Sequence, residues 1–195
     1  MSNFKNNSQT VLITGFKPFA GRPINGSETL ARSFEGEEIA GHQVIVKSID
    51  VAWGAPEQFL PEWQAEYSPS AVVGLGEGSG AVLRLESVGF NRAEGIDESG
   101  NEPPHAPCLD PEGPQSRQST LQFSPKDNGT SAPWEFSEDA GTFLCNNWLY
   151  TALDLFSVPT GFIHLPIQGD SPGSDYVNSL KPLLTDIIAA NLPQL

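Results

Sequence analysis

Two periods alternate along the chain: short, unbroken apolar runs give way to stretches with helical spacing. TVLITGF (10–16) is an apolar run meeting a glycine, which predicts a buried strand. SETLARSFEG (27–36) opens on Ser27 as N-cap and closes on Gly36, the signature of a short helix. HQVIVKSIDV (42–51) predicts a second strand, and PEQFLPEWQAEY (56–67) a helix that Pro61 interrupts or kinks. SAVVGLG (70–76) predicts a third strand, and VLRLESVGFN (82–91) alternates like a fourth, more exposed one. Over 92–138 the periodicity fades into a stretch rich in Gly, Pro, Asp and Ser, which predicts a long surface excursion. Order returns in DAGTFLCNNWLYTALDLF (139–156), where Leu144, Trp148, Ala152 and Leu155 recur at helical spacing. TGFIHLPI (160–167) predicts a strand, and SDYVNSLKPLLTDIIAANL (174–192) a C-terminal helix containing Pro182. No repeat or linker breaks this order, so residues 1–195 read as one α/β domain. Strands alternating with helices predict an α/β/α sandwich around a largely parallel sheet.

Composition narrows the function. A chain of 195 residues has room for one sizeable core, and 38% hydrophobic content is that of a globular protein. Ten basic against 24 acidic residues give a net charge of −14, which repels nucleic acid and anionic membranes. The longest apolar runs are far too short to span a bilayer, and MSNFKNNSQT lacks the apolar core of a secretory signal; a cytoplasmic location is the expectation. In a reducing compartment the two cysteines, Cys108 and Cys145, are free thiols. Three histidines and no CxxC pair argue against a zinc site.

The candidate chemistry centres on Cys145. Free cysteine is among the most buried residue types, so by itself this residue reads as packing. Its setting adds a second reading. With Gly141 or Thr142 as cap, Cys145 falls in a helix's first turn, where free N–H groups and the dipole favour a thiolate and can hold an oxyanion. His164 lies 19 residues later in an apolar strand. It is either a hydrogen-bonded core residue or a base at the sheet edge where α/β folds place ligands. Glu86, in LRLES, is either a solvent-facing strand residue or the acid that fixes the imidazole tautomer. GFKPFAG (15–21) matches neither Gly-rich nucleotide fingerprint. Its Phe16 and Phe19 offer instead two aromatic walls for a small, flat, uncharged ligand.

Together these segments resemble the pyroglutamyl peptidase I, or pyrrolidone-carboxylate peptidase, family. TGFKPFAGRPIN is similar to that family's N-terminal signature, LESVGFN to its glutamate segment, DAGTFLCN to its cysteine segment and GFIHLP to its histidine segment. The four occur in the family's order and span most of the chain. The resemblance implies a single α/β sandwich with a twisted central sheet. It also implies a triad of Cys145 as nucleophile, His164 as general base and acid, and Glu86 as the residue orienting the histidine. The implied reaction removes an N-terminal pyroglutamyl residue from peptides and uses no metal or cofactor. Phe16, Phe19, Phe143 and Leu144 match walls of the lactam pocket. Family members occur as monomers and as homo-oligomers, so both states stay open. Many members carry an arginine in the Gly-rich turn before the glutamate. Here that stretch is GLGEGSGAVLRLE, and its arginine, Arg84, stands in the strand itself. Two other readings accompany this one: a Cys-His-Glu amidase acting on another small cyclic or acylated amide, and a catalytically silent binding relative. A nucleoside-phosphorylase-like activity lacks its phosphate loop.

Overall fold

A computed structural model of the chain describes residues 9–123, 133–167 and 174–193. In chain order the elements are β1 (Thr10–Phe16), α1 (Gly26–Arg32), β2 (Glu38–Ile39), β3 (His42–Ile49), α2 (Ala55–Tyr67), β4 (Ala71–Gly78), β5 (Leu83–Glu86), β6 (Val88–Phe90), β7 (Ser116–Gln118), β8 (Trp134–Ser137), α3 (Leu144–Leu155), β9 (Thr160–Pro166) and α4 (Ser174–Ala190). Seven of the described strands form one sheet in the order β2-β3-β1-β4-β9-β5-β8, and β6 and β7 pair as a separate ribbon. The centre, β3-β1-β4-β9, is parallel throughout. β5 runs antiparallel to β9 and carries β8 parallel to itself, while β2 closes the other edge antiparallel to β3.

The central strands are apolar along both faces because helices cover both. On one face Leu30 of α1 and Leu183 and Ile187 of α4 pack on Val11, Ile13, Val73 and Ile163. On the other, Leu60 and Trp63 of α2 and Trp148 and Leu149 of α3 pack on Leu12, Val72 and Phe162. The layered, largely parallel arrangement agrees with the sequence. From β1 the chain goes to β3 on one side and β4 lies on the other, so a crevice opens at the C-terminal ends of β1 and β4, the usual ligand position in such sheets. Among the described residues no helix is long and apolar enough to cross a membrane.

Several local expectations change. Asn25, not Ser27, caps α1: its side-chain oxygen accepts from the Ser27 N–H at 2.9 Å. Helix α2 continues through Pro61 without a break. The stretch 82–91 is two strands, β5 in the main sheet and β6 in the ribbon, and it is not exposed. Leu83, Leu85, Glu86 and Val88 are all buried, because β8 and β9 flank β5 and α3 packs on β6. The excursion also contributes β7 and β8, and its residues 124–132 lie outside the described residues.

Candidate active site

Cys145 is the second residue of α3. The helix is capped by Phe143, in extended backbone with no side-chain cap bond, rather than by Gly141 or Thr142. Its first hydrogen bond runs from the Asn147 N–H to the Phe143 carbonyl at 3.0 Å. The N–H groups of Leu144, Cys145 and Asn146 therefore have no partner within the helix, and they point with the dipole toward the thiol's end. Strand β4 supports the thiol from below. A Cβ on Gly76 would stand 2.9 Å from Cys145 Sγ and 2.6 Å from Phe162 Cζ, so only glycine lets the helix start settle there.

His164 sits near the end of β9, in register with Gly76 of β4 and Arg84 of β5. Its Nδ1 lies 2.6 Å from Glu86 Oε1. A carboxylate only accepts, so Nδ1–H is the donor and Nε2 is left for the thiol. His164 and Glu86 are 6% and 2% exposed, which keeps water from competing for this bond. Burial by itself would lower the imidazole's pKa. Hydrogen bonds to Cys145 and Glu86, and the pull of both charges, outweigh it and raise His164 from 6.5 to about 9. The ring is also held edge-on by Phe162 at 5.1 Å. Cys145, His164 and Glu86 thus meet on the α2/α3 face of the sheet.

The aromatic residues sit at the end of β1, on the loop after it and at the start of α3. Phe16 closes β1, with its N–H donating to Ser27 Oγ at 3.0 Å; at 4% exposure its ring belongs mostly to the core, 6.4 Å from Phe162. Gly15 serves packing: a Cβ there would meet the Ser27 carbonyl oxygen at 2.5 Å, so glycine lets α1 lie against β1. Phe19 is half-buried on the loop that follows. That loop is pinned at its turn, where the Ala20 N–H donates to Glu98 Oε2 at 2.8 Å, and at its base, where Arg22 pairs with the carboxylate of Glu77. Phe143 is braced edge-on by Trp53 at 5.3 Å and by Gly95, whose Cβ would fall 2.9 Å from the Phe143 ring. Leu144, at 2% exposure, packs in the core with Trp148 and Phe16.

Three supports were not singled out in the sequence. The fully buried Asn146 donates to the Phe90 and Arg92 carbonyls and accepts from the Phe90 N–H, tying β6 to the helix beside Cys145. Its signal was a polar residue at an apolar helical position. Asp97 accepts from the N–H groups of Trp53, Ser99 and Asn101, a local turn legible in DESGN. Trp53 Nε1 donates to the Gly95 carbonyl at 3.1 Å, a contact across 42 residues that carries no local signal.

A thiol at a helix start, beside a histidine that a buried carboxylate holds, is the arrangement a cysteine hydrolase on an α/β sheet uses. The profile of the family described as pyroglutamyl peptidase matches residues 9–180. The chain is 33% identical over 192 residues to a pyrrolidone-carboxylate peptidase of Chromobacterium violaceum, covering 93% of this chain and 89% of that one. It is 31% identical over 169 residues to one of Bacillus thuringiensis, covering 81% and 78%. In fold it is similar to the crystal structure of pyroglutamyl peptidase I from Bacillus amyloliquefaciens, with a TM-score of 0.81, 22% identity, and 96% and 97% of the two chains covered. The chain belongs to the pyroglutamyl peptidase family and is a cysteine peptidase.

Proposed function

We propose that this peptidase removes the N-terminal pyroglutamyl residue from peptides by acyl transfer through Cys145, with His164 as proton carrier and Glu86 as its orienting acid. The single observation that supports this most is the 2.6 Å Glu86–His164 bond beneath the thiol. It favours an imidazolium, in line with the raised His164 pKa, and that positive ring balances the charge of the sulfur as it attacks. The Cys145 sulfur attacks the pyroglutamyl carbonyl carbon, and the oxyanion faces the free N–H groups at the start of α3. His164 Nε2–H passes its proton to the leaving nitrogen as the C–N bond breaks, giving a thioester and a free amine. Water then loses a proton to Nε2 and cleaves the thioester, releasing pyroglutamate and restoring the pair. Phe16, Phe19 and Phe143 would flank the lactam, with Leu144 packed behind them. Both thiols are free among the described residues, which suits a reducing, cytoplasmic setting.

Release of a fluorescent amine from a pyroglutamyl amide tests the reading, with acylated and other cyclic amides alongside. Turnover of the pyroglutamyl amide should exceed that of every other amide and should vanish in Cys145→Ala. Turnover that survives Cys145→Ala sinks the assignment, and a preference for another amide moves it to a different acyl group.

A further inference from the structure

In a chain of net charge −14, every described cation but one has a partner. Lys17, Arg22, Arg32, Arg117 and Lys181 pair with carboxylates, and Lys47 and Arg92 lie over aromatic rings. Arg84 makes neither contact among the described residues, although it is half-buried and its position on β5 is paired in register with His164. Its guanidinium does not drift into solvent. Nη2 lies 2.6 Å, and His164 Cδ2 2.8 Å, from the point that a Cβ on Gly78 would occupy. Its Nε lies 3.7 Å from the corresponding point at Gly80, so the side chain runs along the end of β4. Only a glycine at 78 lets the guanidinium and the catalytic imidazole pack together against the end of β4, and the turn Ser79–Ala81 beside them is exposed.

The imidazole already has the Glu86 carboxylate as its counter-charge, whereas the guanidinium beside it has none among the described residues. A substrate carboxylate that reaches the guanidinium from the side of the exposed turn gives it that partner through charge-assisted bonds with its fork. The proposed reaction brings such a group within reach. His164 hands its proton to the leaving nitrogen, and in a pyroglutamyl dipeptide the free α-carboxylate is bonded to the carbon attached to that nitrogen.

We infer that Arg84 is a specificity residue that binds a carboxylate on the first residue of the leaving group, favouring pyroglutamyl dipeptides with a free C-terminus. The inference rests on the proposed function. It is distinct from the lactam pocket, which recognises the other side of the scissile bond.

The test compares kcat/KM for pyroglutamyl-alanine and pyroglutamyl-alaninamide on the same enzyme preparation, so a partly folded variant does not distort the ratio. The wild type should favour the free acid by roughly 10-fold, and the preference should shrink as salt is raised. Arg84→Gln should bring the ratio close to one, and Arg84→Lys should keep part of it, because the charge remains and the fork is lost. A second pair, the amides of pyroglutamyl-glutamate and pyroglutamyl-glutamine, separates a side-chain carboxylate from the α-carboxylate. A larger effect in this pair than in the first overturns the dipeptide preference. Hydrolysis of all four substrates with no acid preference, or a preference that persists in Arg84→Gln, overturns the role of Arg84 and leaves the proposed function standing. Failure to hydrolyse any of them overturns both.

Discussion

Gly76 and Cys145 approach so closely that a methyl group on the former would stand 2.9 Å from the sulfur of the latter. Gly76→Ala must therefore push the helix start away from β4 or displace Phe162, on which His164 leans. A nucleophile moved by about 1 Å loses on the order of 100-fold in rate. Overpacking at this spot should cost about 1–3 kcal/mol in stability. Steady-state kinetics beside a urea titration checks both; full activity in Gly76→Ala would mean that the thiol does not need this seat.

The His164–Glu86 pair sets a pH dependence with a definite sign. Its folded pKa, about 9, lies above the ordinary 6.5, so its stabilisation is complete below 6.5 and is lost as pH rises through about 9. Denaturation midpoints should fall across that window, by up to about 3 kcal/mol in stability. The fall should flatten in His164→Gln and shrink in Glu86→Gln. A wild-type curve level from pH 6.5 to 9 would show that the imidazole is not held charged.

Removing the three residues should not give three equal losses. Cys145→Ala and His164→Ala should each abolish turnover, since the proton carrier and the nucleophile act as a unit. Glu86→Gln should cost less, roughly 100-fold or more, because it disturbs the tautomer and leaves sulfur and imidazole in place. A Glu86→Gln enzyme with wild-type kcat/KM would reduce the glutamate to a structural role.

Cys145 should be alkylated well before Cys108. The first stands at a helix start beside an imidazole; the second lies in a turn, where its Sγ donates to the His105 carbonyl at 3.2 Å. Peptide mapping after iodoacetamide treatment at neutral pH reads this directly. Modification of Cys108 alone, with loss of activity, would reverse the assignment.

Phe19 is the cleaner probe of the lactam pocket. Phe16→Ala empties a buried site and should cost about 3–5 kcal/mol in stability, so its kinetics will mix folding with binding. Phe19→Ala should lower kcat/KM by roughly 5- to 200-fold, with Cys145 still open to alkylation. Unchanged kinetics in Phe19→Ala would place the ring elsewhere.

The parts of this site legible in the sequence are those set by local periodicity. Apolar spacing in 139–156 announced the helix that carries Cys145, and the run 160–167 announced the strand that carries His164. Alternation in its own strand left Glu86 open between a solvent-facing residue and an orienting acid. Its burial is imposed by β8 and β9, which arrive from some 50 and 80 residues further along the chain. Asn25 outranked Ser27 as a cap for a similar reason: Ser27 is committed to the Phe16 N–H across the β1–α1 junction. Arg84 could be placed on the same face as Glu86 by alternation. Its meeting with His164 over Gly78 required three strands to be laid side by side.

β9 follows every other described strand, yet it is inserted between β4 and β5. The strands made before it fall into two sets that only β9 joins: β2-β3-β1-β4, and β5 with its neighbour β8. In the proposed mechanism the base and its orienting acid come together only when β9 pairs with both sets. The same order makes assembly dependent on contacts between distant stretches, which slows folding and leaves the β4 edge open to a neighbouring chain in the meantime. The contact between His164 and Glu86 thus waits on the last of the described strands to be made.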